Sequence, residues 1–265
     1  MDIRKLPDSF LNSLAYRKAI GYVQARNSKA ARACMPTIVF ASPKGGAGKS
    51  TSAVLLATEL ASRGATVTVI DADPNKPLSQ WSKRGGKPET LTVIADVKED
   101  SIIDAIEKAA TESIFVIVDL EGTASMTVGY AMSRADLVIV PTQGSHLDAA
   151  EAVKAIRLVR AQEKAFNRAI PFSILFTRTS AAIRPRTLQS IETEFGKQEV
   201  PMFDAQIHER EAYRAIFAFG GTLSGLDPAQ VANLPAAIAN ARTFAAEVIS
   251  KLMTKKASSK PAQVA

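Results

Sequence analysis

The sequence predicts an α/β fold: a doubly wound, mostly parallel sheet flanked by helices. Three observations predict it. Short apolar runs rich in β-branched residues alternate with longer helical stretches along the 265 residues. Several runs are apolar almost without a break (VTVI before Asp71, IFVIV before Asp119, LVIV before Pro141), as strands covered by helices on both faces require. A glycine-rich segment, residues 43–51, falls between the first apolar run and the first helical stretch.

Strands are expected at residues 37–42, 66–71, 91–95, 114–119, 136–141 and 171–177. Helices are expected near 48–63, 101–111, 147–165, 185–196, 209–218 and 235–254. A βαβα order with right-handed crossovers gives parallel neighbours. Ligands of such sheets bind at the carboxyl ends of the strands. Residues 1–34 precede this order. Leu6, Phe10 and Leu14 recur every four residues there, which suits either a short amphipathic helix or a disordered arm. The expected organisation is a basic N-terminal extension over 1–34, a compact domain over 35–254, and a disordered basic tail over 255–265.

Hydrophobic residues make up 46% of the chain, enough for a sizeable core. No apolar run approaches the ~20 residues of a membrane span, and no secretory leader is visible. One cysteine, Cys34, excludes an internal disulfide and suits a reducing cytoplasm. With two histidines beside it, a zinc or iron–sulfur site is not expected. The net charge of +7 is uneven: residues 1–34 carry +5 and residues 251–265 carry +4, leaving −2 between them. Basic ends attract a polyanion or simply keep a protein dissolved, and both readings stay open.

The segment Pro43-Lys-Gly-Gly-Ala-Gly-Lys-Ser-Thr51 has the composition of a phosphate cradle. Glycines let backbone N–H groups wrap phosphate oxygens, and the following helix adds its N-terminal potential. Lys49 can reach the β- and γ-phosphates, and the Ser50 hydroxyl can bind Mg²⁺. Pro43 stands where the simple P-loop pattern has its first glycine, and an extra lysine, Lys44, heads the loop. A dinucleotide loop fits less well, because Thr51 occupies its third glycine position.

Two acids, Asp71 and Asp73, close the second expected strand, and Asp119 closes the fourth, as a Walker B acid does. On the loop and these acids the sequence resembles the ParA/MinD family of deviant Walker A P-loop ATPases. The resemblance covers about residues 36–254. It implies that Lys44, Gly45, Gly46, Ala47, Gly48, Lys49, Ser50, Thr51 and Gly122 hold ATP. It further implies that Ser50, Asp71 and Asp119 serve Mg²⁺, the acids acting through its hydration shell. Lys44 would reach the ATP of a partner subunit, and Asp73 would position or activate the attacking water. Lys44, Lys49 and Asp73 are the expected catalytic residues. Where the family continues with a threonine and two prolines, this chain has Leu120-Glu121-Gly122-Thr123. Glu121 is unexpected beside a phosphate and is given no catalytic role. Adenine contacts are expected near 177–178 and 202–206.

The narrower branch resembled includes small plasmid partition ATPases and the ParA-like ATPase of T-DNA transfer. The resemblance implies a weak, partner-stimulated ATPase that dimerises on ATP. The dimer would bind non-specific DNA and meet a centromere-binding, ParB-like protein, in a cytoplasmic, nucleoid-associated setting. Candidate DNA contacts are Arg184 and Arg186 at a helix start, and Arg210 and Arg214 on one expected helix face. Two alternatives are recruitment of DNA for conjugative transfer and a MinD-like membrane cycle. The second would use the apolar stripe Phe244, Val248, Ile249, Leu252 and Met253, which suits a final core helix better. His208 is expected at the surface or at a helix cap, and Trp81 in packing.

Overall fold

The computed structural model describes residues 35–122 and 125–258. The expectations for 1–34, for Thr123 and for 259–265 lie outside these residues. In chain order the elements begin with β1 (Thr37–Phe40), α1 (Lys49–Ala61), β2 (Val67–Ala72), α2 (Pro77–Lys83) and β3 (Leu91–Ile94). Then come α3 (Ile102–Glu112), β4 (Phe115–Leu120), α4 (Met126–Ser133), β5 (Leu137–Thr142) and α5 (His146–Phe166). The chain continues through β6 (Phe172–Thr179), α6 (Arg186–Lys197), β7 (Ile207–His208), α7 (Glu211–Phe219), a 3₁₀ turn (Leu223–Gly225) and α8 (Leu234–Ser258).

The strands form one seven-stranded sheet in the order β3-β2-β4-β1-β5-β6-β7, with every named pair parallel. Strand side chains alternate between two cores. Ile38 and Phe40 join the core under α1, α7 and α8, whereas Val39 and Ala41 join the core under α3, α4 and α5. This double coverage explains why the strands read as near-continuous apolar runs. From β1 the chain first builds the side holding β2 and β3. It then crosses over to β5, so the strand order reverses beside β1. Open α/β sheets bind ligands at such a reversal.

Besides the 3₁₀ turn, two helices and one strand were not expected from the sequence. Helix α2 is short and starts at Pro77, after Lys76 in a left-handed conformation. Helix α4 is apolar nearly all round, which hides its period, but Ser125 caps it by accepting from Val128 N–H at 3.4 Å. Strand β7 has two residues and is defined by its pairing with β6. One boundary also differs. Helix α8 passes the helix end expected near 254 and continues to Ser258, because nothing in its last turn breaks a helix.

Helix α8 is a core helix. Phe244, Val248, Ile249 and Leu252 are buried, and Met253 is exposed. Its Glu247 is buried and accepts the backbone N–H groups of Asp204 (2.9 Å) and Ala205 (2.8 Å). Lys251 donates to the Met202 carbonyl at 2.9 Å and lies 3.5 Å from Glu247. Truncating Glu247 takes the acceptor from the buried Ala205 N–H, costing about 1–3 kcal/mol, and from the part-buried Asp204 N–H, costing about 0.5–1.5 kcal/mol. Glu247→Ala is therefore expected to lower the unfolding free energy by about 2–4 kcal/mol in urea titration. A change below about 0.5 kcal/mol would contradict this staple.

A second tie joins α2 to α7. The Trp81 indole, buried as expected, donates to the Gly221 carbonyl at 3.1 Å. The turns after the two helices pass so closely that a Cβ on Gly220 would lie 2.7 Å from Arg84 Cβ and 2.9 Å from the Gly85 carbonyl. Gly220 also holds a φ of 82°. Both constraints exclude any other residue there.

Candidate nucleotide site

Between β1 and α1 the chain turns through the glycine-rich loop. Gly46 and Gly48 take φ values of 75° and 92°, which side-chain-bearing residues rarely adopt. Gly48 is the N-cap of α1 and offers no side chain to its N–H groups, so those donors face the cleft. The loop is held from behind by the strand ends. The Thr177 hydroxyl lies 2.7 Å from the Ala47 carbonyl and 3.2 Å from that of Thr142, and Gln143 donates to the Gly46 carbonyl at 3.1 Å. Gly122, just past β4, comes in from the front: a Cβ there would sit 3.2 Å from Gly45 N.

These elements enclose a cleft of about 380 Å³. Gly45, Gly46, Gly48, Lys49, Ser50, Thr51, Asp73 and Gly122 line it, together with Glu121 and Arg178. The structure thus brings most of the expected set into one place. Four expected residues are not on the cleft wall. Ala47 is buried behind the loop, Asp71 and Asp119 are buried in the strands, and Lys44 points elsewhere.

Lys49 is 6% exposed, with Nζ 3.4 Å from the carbonyls of Ser42 and Lys44. Burial pulls its pKa below the ordinary lysine value, against the opposing charges of Asp119, Asp73 and Glu121. Asp119 is fully buried, and neither carboxylate oxygen makes a hydrogen bond of normal geometry. Burial pushes its pKa up to about 7. The Ser50 hydroxyl acts against the shift, Asp71 reinforces it, and Lys49 opposes it. A buried, unpartnered carboxylate beside a serine is costly unless a cation compensates it. The described residues hold no cluster of three acidic, histidine or cysteine ligands. That donor set suits Mg²⁺, which keeps its waters and takes few protein ligands beside substrate phosphates. Ser50 would hold the ion, and Asp119 would accept from its waters. When bound, the ion neutralises phosphate charge.

Asp71 lies beside Asp119 in register. Its Oδ2 accepts Ser79 N–H at 2.7 Å, tying the tip of β2 to the first turn of α2. Burial raises its pKa and the Ser79 N–H lowers it, with a net shift upward. Asp73 closes an Asx turn instead, accepting from Asn75 N–H at 2.8 Å and from its Nδ2 at 3.0 Å.

Lys44 donates to Asp148 Oδ1 at 2.5 Å, outside its own cleft. The Asp148 side chain is 5% exposed and is also met by the Ser145 hydroxyl. Burial pushes its pKa up, but the hydrogen bonds from Lys44 and Ser145 outweigh this and hold it below the usual carboxylate range. Sequence reasoning missed Asp148. Its local signal was present: Ser145 caps α5 and Asp148 stands three residues on, the spacing of a capping box.

Of the expected adenine region, Arg178 lines the cleft with φ at 52°, and Thr177 faces the loop. Met202 and Gln206 line a different hollow. His208 is neither free nor a cap. It lies in β7 with Nδ1 2.8 Å from the Thr179 hydroxyl, and burial lowers its pKa. The arginines are dispersed in their roles. Arg186 opens α6 and is exposed, while Arg184 pairs with Glu192 at 2.5 Å. The helix-face reading of Arg210 and Arg214 needs correction, because α7 starts at Glu211, two residues later than expected. Arg210 is its N-cap with a buried Nε, and Arg214 is engaged by Glu209 and by Glu211 at 3.1 Å.

A parallel sheet reversing beside a glycine cradle, with a lysine sunk in the cleft, a serine suited to a metal and a Walker B acid, defines a P-loop nucleotide-binding protein. The chain belongs to the VirC1 protein family, whose profile matches residues 35–254, within the ParA/MinD-like P-loop ATPases. It is 43% identical over 218 residues to Protein ParA of Rhizobium radiobacter, covering 82% of this chain and 98% of that one. The fold is shared with solved structures at 17% identity. One is an ATP complex of a Cyanothece McdA variant, with a TM-score of 0.64 over 83% of this chain and 97% of that one. Another is the MinD cell division protein of Aquifex aeolicus, with a TM-score of 0.63 over 81% and 97%.

Proposed function

We propose that this protein is a dimerising switch that binds and hydrolyses ATP with Mg²⁺, and that its ATP-bound dimer binds DNA without sequence preference to segregate or position it. The observation that carries the reading is the division of labour between two lysines of one loop. Lys49 is sunk in the cleft, whereas Lys44 is held outside it on Asp148. A lysine outside its own site is available to a second site when two clefts face each other. It then stabilises charge on the transferring phosphoryl group, as an arginine finger does. Similarity to a ParA protein supports the partition reading, which in turn calls for a centromere-binding partner and a nucleoid setting. Membership of the VirC1 family supports recruitment of DNA for transfer as a second reading, using the same switch. The membrane cycle is the weaker reading, because four of the five stripe residues it would use on α8, Phe244, Val248, Ile249 and Leu252, are buried.

The test uses phosphate release and ATP-dependent mass. Asp73→Ala is expected to bind ATP, form a dimer on the nucleotide, retain DNA in a salt-sensitive gel shift, and release phosphate at least about 100-fold more slowly. If ATP leaves the unaltered protein monomeric in sedimentation, the switch reading fails.

A further inference from the structure

The strands β2 and β4, with the residues just past their tips, carry two pairs of acids. Asp71 stands beside Asp119, and Ala72 beside Leu120. Side chains alternate along a strand, so a step of two residues returns to the same face. That step leads past the strand tips to Asp73 and Glu121. The inner pair is buried, and the outer pair lines the cleft opposite the glycine cradle.

Glu121 is placed there by more than its own side chain. The next residue, Gly122, is pressed against the cradle so tightly that a Cβ would come within 3.2 Å of Gly45 N and 3.4 Å of the Lys44 carbonyl carbon. This contact fixes the backbone that carries Glu121 at the cleft rim. Its charge reaches Lys49, alongside those of Asp119 and Asp73. None of the described residues hydrogen-bonds its carboxylate or pairs with it within ion-pair distance.

A carboxylate facing a triphosphate repels it across a low-dielectric cleft. The repulsion becomes useful when a water lies between the two, because carboxylates that accept its two hydrogens leave an oxygen lone pair facing the phosphorus. We infer that Glu121 is a water-holding catalytic residue, and that with Asp73 it clamps the hydrolytic water in line with the γ-phosphate. This rests on the ATPase reading above. In the step, the water oxygen bonds to the γ-phosphorus while the bond from that phosphorus to the bridging oxygen breaks. The bond's electron pair leaves on ADP, and the water's protons go to the released phosphate and to solvent. Asp73 approaches from the β2 side and Glu121 from the β4 side, so the water loses its freedom to rotate out of line.

Single-turnover hydrolysis and nucleotide affinity are measured on the same preparations, with a fluorescent ATP analogue for affinity. Glu121→Gln keeps the length and one acceptor oxygen but loses the charge. It is expected to bind the nucleotide at least as tightly as the unaltered protein and to hydrolyse it ~100-fold more slowly. Glu121→Asp keeps the charge and withdraws it by one methylene. It is expected to be slower by roughly tenfold or more, with affinity unchanged. It also decides the matter if Glu121→Gln does not fold. Tighter binding with hydrolysis at the unaltered rate would overturn the inference and leave Glu121 as a repulsive group alone. Equal rates in Glu121→Asp would overturn it too. Absence of turnover in the unaltered protein would instead strike the ATPase reading itself.

Discussion

Lys49→Ala is expected to abolish ATP binding, with affinity falling at least about 100-fold in calorimetric titration while the melting curve stays close to that of the unaltered protein. The size of the effect follows from what surrounds the ammonium. Asp119, Asp73 and Glu121 all act on Lys49 electrostatically. Without it, the cleft presents acids to a polyanion and has lost the cation aimed at the β- and γ-phosphates. Burial has already drawn water away from Lys49, which strengthens its field on a bound phosphate. Folding is not at stake, because α1 is held by Leu55, Leu56 and Leu60 in the core rather than by this side chain. Retention of ATP affinity within about threefold would mean that the cradle's amides bind the triphosphate unaided.

Lys44→Ala is expected to give the opposite split. Nucleotide affinity of the isolated subunit should stay within about threefold, while dimer-dependent turnover falls ~1,000-fold or more, the range lost when a phosphoryl-transfer enzyme is deprived of its finger cation. The split follows from geometry. Lys44 Nζ is committed to Asp148 at 2.5 Å, and its side chain remains 42% exposed, so it is anchored yet accessible to a second subunit. Removing it leaves Asp148 with the Ser145 hydroxyl as a partner, which limits the damage to the fold. Normal turnover in this variant would refute the cross-subunit role.

The sheet and the cradle were legible because both are written locally. An apolar run ending in one acid marks a strand tip, and β2 and β4 appear where Asp71 and Asp119 predicted them, within a residue or two. The spacing of Lys49 and Ser50 behind three glycines needs no distant partner to be read. What stayed hidden depends on contacts between remote segments. The pairing of Lys44 with Asp148 spans 104 residues, and no periodicity reports it. Strand β7 exists through its bonds to β6, and its two residues carry no pattern. The start of α7 moved by two positions, enough to turn Arg210 from a helix-face residue into a cap. Glu121 was visible as an anomaly. Its place came from the pairing of β2 with β4, which ends one residue before it, and from the cleft wall it shares with Asp73.

Helix α2 is clamped at both ends. Its head is fastened to Asp71 through Ser79, one strand away from the buried acid assigned to magnesium. Its tail is fused to the end of α7 through the Trp81 bond and the glycine crossing, where not even a methyl group fits. A helix gripped in this way works as a crank. A shift of the β2 tip is therefore expected to reach the turn after α7 through this helix.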